Sequence, residues 1–475
     1  MARHNDPITT LVLAAADKAR RETANEPEPG VTGQLTWPVQ CTVGPGLEGA
    51  IACESKVGYV NGSKGCLIYR GYDIFDLAAH SSFEETTYLL LHGALPGRRD
   101  LERFSERLRL RRRLQKTLRI LPSFPLEEMS AMAALRIGVN LMRLNQTHRD
   151  AEAEGGGASH DGIGTDEDSI AMETPPKGQA RAVYEFHRPA PPLRPPTQEV
   201  RGLSNGHDLD ACDRLVAGLA TAAAAVHRIR CDLLPIEPDP ALGHAANLLY
   251  MINGTRPSTE AARILDIALI LHADHGMNAS TFAAMVVAST LADVYFAVGA
   301  GIGALSGPLH GGANEQVLTM LEEIGSPRLV RPWLSRVRQE KRRIMGFGHR
   351  VYKAYDPRAR VLQPLAEYLA NENRAIRPLY RVAQALEREV VATLGHDKGI
   401  FPNVDFYSGL VYRALGIPDD LFTVLFAVSR VAGWTARTME YLEHNRIFRP
   451  RALYSGSFGL PYVPLGKRGP AGTTT

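Results

Sequence analysis

Four stretches of this sequence set titratable side chains beside glycine or other loop-forming residues. In the first, Leu305-Ser-Gly-Pro-Leu-His310-Gly-Gly-Ala-Asn-Glu315, two glycines leave the C-terminal side of His310 uncrowded. Backbone or ligand can then approach the imidazole closely. Taken alone, the fragment reads equally as a solvated histidine at a helix boundary. The second, His272-Ala-Asp-His275-Gly-Met-Asn278-Ala-Ser280, carries two histidines three residues apart, which on a helix share one side. Such a pair is one way to begin a metal site, but no carboxylate and third histidine complete the shell, and no metal is expected. A histidine at a helix end more often meets an anion or a backbone carbonyl. The residues after His275 read as a loop that exposes it.

The third stretch, Gly346-Phe-Gly348-His349-Arg350-Val-Tyr352-Lys353, follows two glycines with a histidine and two cations, a pattern suited to a loop that covers an anionic ligand. A basic surface turn has the same composition. Asp356-Pro357-Arg358 comes next, and Pro357 is a natural helix opener that places Arg358 in a first turn with its guanidinium free to reach back. The fourth, Pro402-Asn-Val-Asp405-Phe-Tyr-Ser-Gly409, sets one carboxylate among apolar and aromatic neighbours. Desolvation there raises a carboxyl pKa toward that of a working base, although an isolated Asp at such a place also serves as a helix N-cap.

The chain that must position these groups is long enough for two or three domains: 475 residues, 44% hydrophobic. Lys and Arg number 54 against 51 Asp and Glu, so no global field recruits nucleic acid or an acidic membrane. The cysteines, Cys41, Cys53, Cys66, Cys212 and Cys231, are odd in number and lack finger spacing, which argues against a disulfide framework or zinc module. The apolar run Leu11–Ala16 is too short for a secretory signal, and no window reaches a membrane-spanning length. These features predict a cytoplasmic protein.

Along the chain, an amphipathic helix around Ile8–Arg21 precedes the turn-rich Asn25-Glu-Pro-Glu-Pro-Gly30, predicting a weakly held N-terminal tail over residues 1–40. Short β-like pieces around Asn61-Gly62 predict a hairpin. Ser82 before Phe83-Glu-Glu predicts a capped helix ending near Gly93. Helical spacing then covers Asp100–Leu121 and Leu126–Leu144, the latter with Met129, Met132, Leu135, Val139 and Leu141 on one face. From 147 to 205 periodicity is lost. Glycines, acids and five prolines within Pro189–Pro196 predict a disordered surface insertion. Helices resume at Leu209–Arg230, Gly243–Ile252, a run opened by Pro257 and Ser258 that ends at His272, and Thr281–Val298.

The chemistry-bearing stretches, in this order, resemble the signatures of citrate synthase: Gly307-Pro-Leu-His310-Gly-Gly-Ala-Asn-Glu315, Met345-Gly-Phe-Gly-His349-Arg-Val-Tyr-Lys353 with Tyr355-Asp-Pro-Arg358, and Pro402-Asn-Val-Asp405-Phe-Tyr-Ser-Gly409. The similarity extends to Tyr69-Arg-Gly-Tyr72, Ser81-Ser-Phe-Glu84, His272-Ala-Asp-His275, Ser429-Arg430-Val-Ala-Gly-Trp434 and Arg449-Pro-Arg451. The resemblance implies an all-α fold with a large helical domain, a smaller mobile helical domain and a minor N-terminal β-hairpin. It implies a large domain from 41–310 and 412–475, with the small domain at 311–411. It implies that Asp405 takes a proton from acetyl-CoA, that His310 hydrogen-bonds the enolate, and that His349 polarises the ketone of oxaloacetate. His275, Arg358, Arg430 and, from the other subunit of a homodimer, Arg449 would hold the acceptor. Citryl-CoA would then be hydrolysed to citrate and CoA, with the thioester a substrate and no cofactor required.

The chemistry asks for such a set independently. A thioester methyl is a weak acid, so a carboxylate succeeds only where preorganised donors meet the enolate at once. Planar guanidiniums suit a dicarboxylate better than lysines do. Arg342, Arg343 and Lys353 flank the His349 loop as candidate coenzyme A contacts, and surface basicity explains them equally. Open alternatives are 2-methylcitrate synthase acting on propionyl-CoA, a retired scaffold or regulatory homologue using the proline-rich insertion, and citryl-CoA cleavage, for which no nucleotide-grasping domain is evident.

Overall fold

The central helix, Phe422–Leu442, is buried without interruption from Phe422 to Met439. A helix enclosed on every side must be surrounded by other helices. Here they are Phe83–His92, Leu209–Arg230, Thr259–His272, Ala279–Ser289 and Val294–Leu305. The computed structural model describes residues 6–24, 41–143, 208–452, 455–458 and 460–467. The expected insertion at 147–205 and residues 25–40 of the tail lie outside them. The described residues are predominantly helical, with one small sheet, as the all-α expectation required.

Local signals produced most of these helices. Ser82 caps Phe83–His92 through Glu85 N at 3.2 Å, and Gly93 ends it in the left-handed region. Ser258 caps Thr259–His272, whose residues Arg263–His272 are all buried. The predicted hairpin is an antiparallel sheet of three strands: β1 (Gly58–Asn61) pairs with β2 (Cys66–Tyr69), and β2 with β3 (Tyr72–Asp73).

Three expectations need correction. Thr281–Val298 is two helices, Ala279–Ser289 and Val294–Leu305. Leu291 turns the chain at φ 66°, and Asp293 recaps it by accepting from Tyr295 N and Phe296 N. Asp100–Leu121 likewise divides into Arg98–Arg111 and Gln115–Ile120. The N-terminal helix, Pro7–Glu22, is not weakly held. Ile8 and Val12 are fully buried, worth roughly 1.5–3 kcal/mol each. It packs on both Ile74–His80 and Pro357–Glu372. An apolar stripe on a short helix does not reveal from sequence whether a partner surface awaits it.

One glycine sets the distance between the central helix and the His272–His275 turn. A Cβ at Gly433 would stand 2.3 Å from Ala273 O. Without it, Gly433 N donates to that carbonyl at 3.0 Å. The turn therefore lies directly against the helix that carries Arg430 and Trp434.

Candidate active site

His275, His310, His349, Arg358, Asp405 and Arg430 line a single cleft of about 1780 Å³. They come from five separate segments of the chain, so the shared wall is a product of the fold.

His310 follows the helix Val294–Leu305 in a turn closed by His310 N donating to Gly307 O at 2.9 Å. Ser280 stands at its ring: the hydroxyl lies 2.8 Å from Nε2 and the Ser280 amide donates to Nε2 at 3.3 Å. That amide, which Nε2 shares with Asn278 Oδ1 at 3.1 Å, can only donate, and this contact favours Nε2 as acceptor with the ring proton on Nδ1. Trp434 Nε1 fixes the serine in turn, donating to its Oγ at 3.2 Å. Burial, with the Arg430 charge adding to it, lowers the His310 pKa to about 4. The imidazole is neutral at pH 7.

His349 is set by its own loop. The amides of Val351 and Tyr352 both donate to Nδ1, at 3.0 and 3.2 Å, which leaves the proton on Nε2 as a donor. Burial, reinforced by Arg358, takes its pKa to about 4. His275 lies beside it with ring centroids 5.2 Å apart, and its Nε2 is 3.1 Å from the Tyr352 hydroxyl. The loop after His275 does not expose this residue, contrary to expectation: it is 8% exposed, and burial pushes its pKa well down. His272 is fully buried, with Nδ1 2.7 Å from Ala268 O. That backbone contact is the ordinary helix-end role, and among the described residues no cluster suited to a metal ion forms.

The cations divide into two kinds. Arg358 opens the helix Pro357–Glu372 as predicted, but its guanidinium is not free. Asp356 binds it bidentately, Oδ1 to Nε at 3.0 Å and Oδ2 to Nη2 at 2.8 Å, with both residues buried. Burial pulls the Arg358 pKa down, and the Asp356 carboxylate more than reverses it. Arg437 forms an equally buried pair with Asp274, which also accepts from Gly276 N and so braces the His275 turn. Arg430 differs: Nε donates to His272 O at 2.6 Å, while Nη2 is buried without a partner. No ion pair forms to it among the described residues, and burial lowers its pKa to about 10. A buried guanidinium with an unused donor, facing the cleft and backed by the Phe426 ring at 4.7 Å, is suited to hold an anion.

Asp405 is the second residue of the helix Val404–Ala414. Asn403 supplies the N-cap that the sequence left open for it, accepting from Asp405 N at 3.0 Å. Burial raises the Asp405 carboxyl to about 7, with Arg358 opposing and Asp356 assisting the rise. Arg449 is exposed and lines the same cleft within its own chain. Sequence reasoning assigned no role to Ser280, Trp434, Asp356, Asp274 or Asn403. All five sit inside or at the end of stretches the sequence singled out, but their side chains act on groups that sequence spacing alone does not pair with them.

A family profile for the citrate synthase C-terminal domain matches residues 46–451. The chain is 43% identical over 424 residues to the citrate synthase of Synechocystis, covering 89% of this chain and 93% of that one. It is 39% identical to that of Haloferax volcanii, covering 89% and 98%. Among solved structures, citrate synthase from Pyrobaculum aerophilum superposes with a TM-score of 0.74 at 36% identity, covering 93% of this chain and all of that one. A ternary complex of the Thermoplasma acidophilum enzyme with carboxymethyl coenzyme A and oxaloacetate gives 0.72 at 30% identity, covering 88% and 97%. Matched from 46 to 451 by the family profile and 43% identical to a citrate synthase over 89% of its length, the chain belongs to the citrate synthase family, enzymes of the citrate (Si)-synthase acyltransferase type.

Proposed function

We propose that Asp405 removes a methyl proton from acetyl-CoA, that His310 meets the developing enolate oxygen through Nδ1–H, and that His349 polarises the oxaloacetate ketone through Nε2–H. The single observation behind this reading is the pairing of protonation states around one cleft. A carboxyl near 7 is a stronger base than an exposed one, and imidazoles near 4 stay neutral donors at working pH. The enolate carbon then attacks the ketone carbon, and the resulting alkoxide, held by the His349 Nε2–H, is neutralised by a proton from solvent. Water finally cleaves the citryl thioester to citrate and CoA.

The oxaloacetate carboxylates fall to Arg358, to Arg430 through its unpartnered Nη2, and to His275. The thioester is substrate, and we propose no further cofactor. Residues 311–411 act as the smaller domain, with His310 at the hinge. There Thr423 Oγ1 donates to Gly311 O at 2.9 Å and so tethers the hinge to the central helix. Closure expels water and strengthens each of these polar contacts. Among the described residues no helix is long and apolar enough to cross a membrane, and we place the enzyme in the cytoplasm.

The test is free-thiol release by purified protein given oxaloacetate and either acetyl-CoA or propionyl-CoA. Thiol appears faster with acetyl-CoA. A preference of more than about tenfold for propionyl-CoA moves the reading to 2-methylcitrate synthesis, and no thiol with either sinks it. We also propose a homodimer to which Arg449 contributes across the interface. Mixed dimers of D405A and R449A chains regain activity if the arginine serves the neighbouring site. They stay inactive if it serves its own.

A further inference from the structure

We propose that Asn403 is a positioning residue that locks the ketone-polarising loop to the catalytic base, so that His349 and Asp405 move as one unit. The proposal rests on the roles given above to those two residues. Residues 346–348 and 401–403 run antiparallel, bridged at Phe347 and Pro402. Gly348 N donates to Phe401 O at 2.8 Å and Asn403 N to Gly346 O at 2.9 Å. The Asn403 carboxamide then joins the two sides. Its Oδ1 accepts from Asp405 N at 3.0 Å, while its Nδ2 donates to Gly348 O at 2.9 Å.

That carbonyl belongs to the peptide plane leading directly into His349. One planar group therefore grips the backbone immediately before the imidazole and the backbone of the carboxylate residue. Capping alone does not call for asparagine, since serine, threonine or aspartate accept from a first-turn amide equally well. Among these capping side chains the carboxamide alone carries its acceptor and its donor on separate atoms, so it can reach two backbone groups at once. The contrast with His310 gives the lock its purpose. His310 stands at the proposed hinge, whereas His349 and Asp405 both lie beyond it on the smaller domain. Domain movement can change their distance from His310 while their mutual distance stays fixed.

The variant that separates locking from capping is Asn403→Ser, which keeps an acceptor for Asp405 N and is too short to reach Gly348 O. Asn403→Ala, which loses both, is the comparison. In N403S we expect kcat to fall 10- to 100-fold with the oxaloacetate dissociation constant within about threefold of wild type, because the carboxylate-binding guanidiniums are untouched. The ketone stretch of bound oxaloacetate in the infrared reads His349 directly. It shifts away from its solution frequency in wild type and returns toward it in N403S. An unshifted ketone in wild type would defeat the role of His349 itself. A wild-type shift retained in N403S, or a kcat loss equal to N403A that tracks lost thermal stability, would leave that role intact and overturn the proposal for Asn403.

Discussion

His310 and His349 are both neutral imidazoles on one cleft, yet opposite means hold them. His310 is fixed from a distance: Ser280, 30 positions earlier, contacts its ring, and Trp434, 154 positions beyond that serine, contacts Ser280. His349 is fixed chiefly through main chain, by two amides of its own loop and by the short ladder that Phe401–Asn403 brings to Gly346–Gly348. The first arrangement relies on side chains that meet only after helices pack. The second relies on main chain, with glycine at the turns and the Asn403 carboxamide tying its two sides. A hinge separates them in the proposed mechanism, and the difference follows from that. The His349 and Asp405 half must keep its internal geometry while moving, and backbone ladders are stiff. The His310 half stays with the buried central helix and can borrow rigidity from it.

Asp405→Asn produces the largest effect, because both halves serve the proton it removes. We expect thiol release to fall by about 10³-fold, with an unchanged far-ultraviolet circular dichroism spectrum. Retained turnover would assign the base elsewhere. Gly346→Ala attacks the main-chain half alone. The residue sits at φ 76°, and a Cβ would lie 2.8 Å from Val317 and 2.9 Å from Phe406. Crowding of that kind costs about 1–3 kcal/mol. Thermal unfolding should register the loss as a lowered Tm, accompanied by weaker activity. A variant as stable as wild type would show that this turn is softer than its contacts imply.

Ser280→Ala probes the side-chain half and should do less. One hydrogen bond to His310 is worth about 1 kcal/mol, so kcat should drop roughly fivefold to tenfold while KM for oxaloacetate holds. A change in KM alone would mean that Ser280 serves substrate binding instead of the imidazole.

The same contrast explains which parts of the site were legible in the sequence. The His349–Arg358 and Pro402–Gly409 stretches are read from contiguous residues because neighbours and glycines build them. Asp356 stands two positions before the arginine it pairs, and Asn403 two before the carboxylate it serves. Ser280 looked like the end of a loop, since nothing near it in sequence announces a histidine 30 residues on. Local rules also misjudged burial. His275 seemed exposed among Gly276, Met277 and Asn278, yet His349 and Tyr352 pack against its ring. The N-terminal helix seemed loose for the same reason, its partner helix Pro357–Glu372 lying more than 300 positions away. The capped helices Phe83–His92 and Thr259–His272 were read correctly because their stop and start signals are local.

The smallest effect is on stability, and it sets the base against the imidazoles. His310 and His349 have folded pKa values of about 4, and His244 and His272 about 3, all from burial first. Unfolded, each returns to near 6.5, so between pH 6.5 and about 4 the unfolded chain binds protons that the folded chain refuses. Stability falls as pH falls through that window. Asp405 acts in the opposite sense: held near 7 in the fold and near 3.8 out of it, it keeps a proton only when folded across that interval, and acidification to this extent favours the native state. Denaturant midpoints at pH 8, 6 and 5 should therefore decline for wild type, the histidines outnumbering the carboxyl, and decline more steeply for D405N. The margin in favour of the variant is therefore widest above pH 7. There wild type carries a buried carboxylate that the variant lacks, so the inactive D405N should be the more stable protein. A D405N midpoint below wild type at pH 8 would mean that the carboxylate is stabilised in the resting fold, which would leave it a poorer base than the mechanism requires.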